Sequence, residues 1–127
     1  MKRIFYLSIY LYIFISINIS NAQEYNVFKE DMVEVSFISS VTKVTEKKFY
    51  LGLEFKLEPG WKIYWRQPGD SGMPPILDYK DSVNLKSIEF KWPFPIKEYE
   101  AANLLTNIYK GEVVIPLEVT VNDHNKP

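Results

Sequence analysis

The chain has 127 residues, 46% of them hydrophobic and 24% charged, with a formal net charge of −1 and no cysteine. The composition is that of a globular protein, and the absence of a basic patch argues against a nucleic-acid partner. The missing cysteines exclude disulfides, thiol chemistry and thiolate-ligated metal from these residues, so an apolar core has to hold the fold together.

Residues 1–22 read as a secretory leader. Lys2 and Arg3 precede an apolar run, Ile4 onward to Ile17, broken only by Ser8 and Ser16. Ser20-Asn21-Ala22 then places small residues where a signal peptidase cuts. The run falls short of the ~20 residues that span a bilayer, which predicts a cleaved signal rather than an anchor. Cleavage leaves a single domain, residues 23–127, whose formal charge becomes −3 once the two basic leader residues are subtracted from −1. With no second long apolar run, this exported piece is expected to be soluble.

Period-2 alternation dominates the rest. Residues 32–39 place Val33, Val35 and Phe37 on one face. Residues 48–58 are the cleanest strand: Phe49, Leu51, Leu53, Phe55 and Leu57 oppose Lys48, Tyr50, Glu54, Lys56 and Glu58. Pro59-Gly60 ends it with a turn signal. Trp61, Ile63 and Trp65 then alternate with Lys62, Tyr64 and Arg66, predicting the second strand of an antiparallel hairpin with both tryptophans in the core. The stretch 59–75 (PGWKIYWRQPGDSGMPP) crowds rigid turn residues against large aromatics. Such a run builds either a sandwich corner or a binding surface.

Residues 76–79 read as a short strand after Pro74-Pro75. Residues 85–92 point Ile88, Phe90 and Trp92 inward. Residues 97–103 have helix propensity but are too short for a helix, which predicts a loop or a single turn. Val113, Ile115, Leu117, Val119 and Val121 mark the last strand, with Pro116 outward, where its missing N–H calls for an edge or a bulge. About seven short strands with frequent turns predict an all-β fold, an antiparallel immunoglobulin-like β-sandwich.

Few residues offer chemistry. The single histidine, His124, has no second His or Cys to work with and reads as a solvated tail residue. Glu98 and Glu100 would share a strand face, but beside Lys97 they read as a solvated loop rather than a catalytic carboxylate pair. Asp70, between Gly69 and Gly72, reads as a turn residue. Met32, Met73 and His124 are too scattered for a copper site. Tyr64 and Arg66 form the candidate exposed binding face, able to stack on a sugar or clasp an extended peptide. No catalytic residue, metal site or cofactor is expected.

Three segments carry a family resemblance: residues 51–75 (LGLEFKLEPGWKIYWRQPGDSGMPP), 91–95 (KWPFP) and 107–117 (NIYKGEVVIPL). Together they resemble the N-terminal periplasmic domain of DsbD-like thiol:disulfide interchange proteins, in the ScsB-like branch. The resemblance runs from about Val33 to Val121, and its most specific part is GW-x-x-YWR-x-PGD-x-G-x-PP. It implies an immunoglobulin-like domain in the periplasm. It also implies partners: a membrane-embedded electron transporter that supplies reducing equivalents, and periplasmic thiol–disulfide proteins that receive them. In redox-active members a pair of cysteines, just beyond the position of residues 117–121, carries the exchange. A loop shields that pair, and its counterpart here is about residues 98–105, with Tyr99, Leu104 and Leu105 as the candidate cap. This chain departs from the pattern in having no cysteine. It reads either as a truncated piece of a longer protein or as a cysteine-free relative, and the polar ending 122–127 favours truncation. The alternative from another class is a cysteine-free exported module that binds a glycan or peptide.

Overall fold

The computed structural model describes residues 23–30 and 32–127, with side chains from residue 29 onward. The leader expected over 1–22 lies outside the described residues. The described chain forms eight strands: β1 (Gln23–Glu30), β2 (Val33–Ser39), β3 (Lys48–Leu57), β4 (Ile63–Gly69), β5 (Leu85–Phe90), β6 (Ile96–Tyr99), β7 (Leu105–Tyr109) and β8 (Glu112–Val121), with a 3₁₀ turn at Ala101–Asn103. Every strand pairing is antiparallel. Five strands form one sheet in the order β1-β2-β3-β8-β5, and three form the other in the order β4-β7-β6. The fold is an antiparallel immunoglobulin-like β-sandwich.

The alternation seen in the sequence builds the core directly. Residues opposite one another in an antiparallel pair share a face, and the register places Phe37, Leu53 and Ile115 in one row and Leu51, Leu117 and Phe90 in another. Leu53, Phe55, Ile115, Leu117 and Val119 are buried, and Tyr109, Ile63 and Trp65 of the second sheet pack onto them. On the outer face Glu118 gathers Tyr50 (2.9 Å), Lys48 (3.2 Å) and Lys91 (3.8 Å).

Several expectations need correction. β3 and β4 are not a hairpin. Both edges of β3 are taken, by β2 and β8, so the Pro59-Gly60 turn carries the chain across to the other sheet. Trp61 precedes β4, outside its alternation, and is 47% exposed rather than in the core. Residues 76–79 form no ladder. Pro74 and Pro75 offer no N–H, and Asp78 caps its own neighbourhood by accepting from the Lys80 N–H at 3.1 Å, while Leu77 still packs on the core. The 97–103 segment contains a strand, because Glu98 and Tyr99 pair with Thr106 and Leu105. β1, unmarked by any clear alternation, pairs along β2.

Pro116 sits in a central strand, not at an edge. Its carbonyl accepts the Lys91 N–H at 2.8 Å, on the side facing β5. With no N–H to return, the ladder stops there, and β5 ends at Phe90, one residue earlier. The proline therefore sets where β5 leaves the sheet.

Candidate functional site

The outer face of the three-stranded sheet carries the densest polar network among the described residues. Tyr64, Ile108 and Ile96 lie in one cross-strand row, and Thr106 and Glu98 in the next. Ile108 and Thr106 are fully buried, so the polar groups above them work over a dry floor. Glu100 is the hub. Its carboxylate accepts from the Tyr64 hydroxyl (3.1 Å), the Thr106 hydroxyl (3.0 Å) and the Ser71 hydroxyl (3.3 Å), and it is ion-paired to Lys62. Lys62 also reaches Glu98 at 3.6 Å, and Glu98 pairs with Lys110.

The electrostatics follow from those partners. Lys62 holds the Glu100 carboxyl below the usual carboxylate range, and Lys110 does the same for Glu98. Glu100 in turn raises Lys62. The neighbouring lysines favour the ionised form of both carboxylates. The sequence reading of Glu98 and Glu100 as a solvated loop is corrected: both are half-buried and fully engaged.

A turn lies against this network. The Asp70 N–H donates to the Leu105 carbonyl (2.9 Å), and the Leu105 N–H donates back to the Asp70 carboxylate (2.8 Å). Asp70 is therefore a clamp between two segments, not the self-contained turn residue expected. Gly69, at φ 93°, sits so close to the Leu105 carbonyl that a Cβ there would overlap it. Gly72, at φ 95°, lies under the Tyr64 ring. The residues between β6 and β7 form a tight loop closed by the Glu100 N–H on the Leu104 carbonyl (2.7 Å), with Ala102 and Asn103 in the left-handed region.

The structure brings some of the anticipated residues together. Tyr99 (73% exposed) and Leu104 (37% exposed) flank the loop, and half-buried Leu105 forms its base. Tyr64 is half-buried and committed to Glu100, whereas Arg66 is exposed and stacks on the Trp65 ring at 4.9 Å. The clamp at Asp70 and the hub at Glu100 escaped sequence reasoning. Their signal is the adjacency of 69–72 to 100–106, which only strand pairing reveals.

Phe37, Phe49, Leu51, Ile88 and Val121 line an open apolar cleft of about 560 Å³. His124 lies at its mouth, half-buried with Nδ1 lacking a partner, and is not the solvated tail residue expected. Asn84 fixes this end. Its side chain donates to the Asp123 carbonyl (2.6 Å) and the Lys126 carbonyl (3.0 Å) and accepts the Asp123 N–H (2.9 Å). Among the described residues no three His, Cys, Asp or Glu side chains converge as metal ligands, and no helix is long and apolar enough to cross a membrane.

Fold and site together define an immunoglobulin-like sandwich whose described polar residues tie loops to the three-stranded sheet. Residues 29–127 match the family described as thiol:disulfide interchange protein DsbD, N-terminal, and the chain belongs to that family. It is also similar to the crystal structure of the N-terminal periplasmic domain of ScsB from Proteus mirabilis, at 28% identity and a TM-score of 0.67. That match covers 81% of this chain and 41% of the relative, so the chain spans about two-fifths of the relative's length. No curated protein matches the sequence.

Proposed function

We propose that the chain is the interaction and redox-relay domain of an exported, ScsB-type thiol:disulfide interchange protein, working in the periplasm. Its family membership carries this reading. The thiols would come from polypeptide outside these residues, since the thiolate is the nucleophile in exchange and this sequence has none. The relative's name places its own domain in the periplasm, and the leader-like residues 1–22 agree with export. In this role the chain contributes shape: the 100–104 loop, flanked by Tyr99 and Leu104, covers the thiol site and meets the partner. The partners are periplasmic thiol–disulfide proteins and a membrane-embedded electron transporter.

Two measurements test this. The purified chain shows no turnover in an insulin-reduction assay, and any turnover refutes the division of labour. Titration with a periplasmic thioredoxin-fold oxidoreductase shifts the NMR signals of Tyr99, Leu104 and Leu105, and an unshifted loop refutes the docking role.

One observation favours a second reading. Trp61 is 47% exposed and Arg66 projects nearby in sequence, stacked on Trp65, a pairing suited to a sugar or an extended peptide. A saturable change in tryptophan fluorescence on titration with oligosaccharides supports this reading, and a flat response rejects it.

A further inference from the structure

The PGD-x-G run lies within the most specific part of the family likeness, yet a turn needs only its glycines and proline. The aspartate requires its own explanation, and the geometry supplies one. Asp70 spends its main-chain N–H and its carboxylate on the same residue, Leu105, in two opposed hydrogen bonds. One residue on, the Ser71 hydroxyl reaches Glu100. The pair Gly69–Thr106 continues the ladder beside them. The 69–72 turn thus holds both ends of the 100–104 loop: the exit at Leu105 through Asp70, the entry at Glu100 through Ser71.

The loop itself is poor in support. Ala101, Ala102, Asn103 and Leu104 are all exposed. Ala102 (φ 60°) and Asn103 (φ 58°) occupy a conformation that an alanine adopts only at a cost. A strained, exposed loop of this kind opens locally unless its stem is fixed.

We infer that Asp70 and Glu100 are positioning residues that fasten the stem of the 100–104 loop to the 69–72 turn, so that its motion is confined to the tip. This rests on the reading of that loop as the cover of a thiol site. It adds the device that sets the cover's resting position: Asp70 defines where the loop ends and Glu100 where it begins. The hydroxyls of Tyr64 and Thr106 and the ammonium of Lys62 hold the Glu100 carboxylate in place, so the anchor is tied to both β4 and β7. Breaking either bond set leaves the sheets intact and frees the loop chiefly at that end.

Amide hydrogen exchange on the purified chain tests the inference without thiols or partners. Asp70→Ala should speed exchange at the Leu105 amide by about tenfold, the size of one hydrogen bond, with a smaller rise across 100–104. Core amides at Leu53 and Leu117 should keep their protection. Asp70→Asn, whose side-chain oxygen still accepts from Leu105, should restore most of the protection. Ser71→Ala provides a second variant that leaves Asp70 in place, and it should loosen the Glu100 end alone. Unchanged exchange over 100–106 in both alanine variants overturns the inference. So does a uniform rise that includes Leu53 and Leu117, since that marks a general loss of stability. Failure of partner binding with these exchange patterns intact would refute the redox-relay role and leave the fastening standing.

Discussion

Gly69→Ala should be far more damaging than Gly60→Ala, although both glycines have similar φ angles. Gly69 has φ 93° and Gly60 φ 86°. An alanine forced into that region costs about 1–3 kcal/mol at either place. At Gly60 nothing lies within 4 Å of the added methyl group, so that cost is the whole effect. At Gly69 the methyl group overlaps the Leu105 carbonyl, which is main chain and cannot rotate away. Moving it breaks the reciprocal bonds between Asp70 and Leu105, each worth about 0.5–1.5 kcal/mol net. The difference between the variants is then about 1–3 kcal/mol. Urea unfolding followed by tryptophan fluorescence reads it: with a slope of about 1–3 kcal/mol per molar, a 2 kcal/mol gap separates the midpoints by roughly 1 M. Equal midpoints at equal slopes would show that the close approach at Gly69 costs nothing, and the clamp argument would fall with it.

Three further outcomes follow from the packing and the charges. Leu117→Ala, at a fully buried position, should cost about 2–5 kcal/mol by opening a cavity between the sheets, whereas Tyr50→Phe on the exposed outer face should shift the urea midpoint little. Lys110 holds the Glu98 carboxyl below its ordinary range, Lys62 that of Glu100, and the Tyr50 hydroxyl that of Glu118. On acidification the unfolded chain takes up these protons first, so stability is complete above the ordinary carboxylate range and declines as pH falls below about 4.5. Urea midpoints between pH 3 and pH 7 should show the decline, and the pair Glu98→Gln with Glu100→Gln should flatten it; an unaltered slope contradicts the assignment. Burial pushes the Tyr109 hydroxyl up to about 12. That stabilisation is complete below pH 10 and disappears as pH rises through 12, and the alkaline loss should be absent in Tyr109→Phe, which also forgoes the 2.7 Å bond to the Pro93 carbonyl.

Much of the sandwich was legible because its core strands alternate without interruption. Val33, Leu53, Phe55, Ile115 and Leu117 announce an inward face by spacing alone, and the structure pairs them row by row. What spacing cannot show is which sheet a strand joins. β3 and β4 are consecutive and separated by a turn signal, yet they lie in different layers, because β8 returns from far along the chain to occupy the edge that β4 would have taken. Pro116 misled for a related reason: its missing donor rules out a bond on one side only, and that side faces the place where β5 departs. The site was less legible still. Asp70 and Glu100 look like ordinary loop acids until the ladder sets Gly69 beside Thr106. Trp61 was assigned inward by extending an alternation past the end of its strand.

The pairing of β3 with β8 also governs the order in which the molecule can be made. Those two strands form the longest ladder, nine residue pairs from Lys48 with Thr120 to Lys56 with Glu112. Their partners are far apart in sequence, so a large loop must close before the ladder gains anything, which places the domain among the slower, non-local folders. A ribosome adding about 5–20 residues per second exposes β2 and β3 for several seconds before β8 exists. Through that interval Leu51, Leu53 and Phe55 lie on an open sheet edge, ready to pair with any other strand. A chain built this way gains from being held unfolded until all of it can collapse at once.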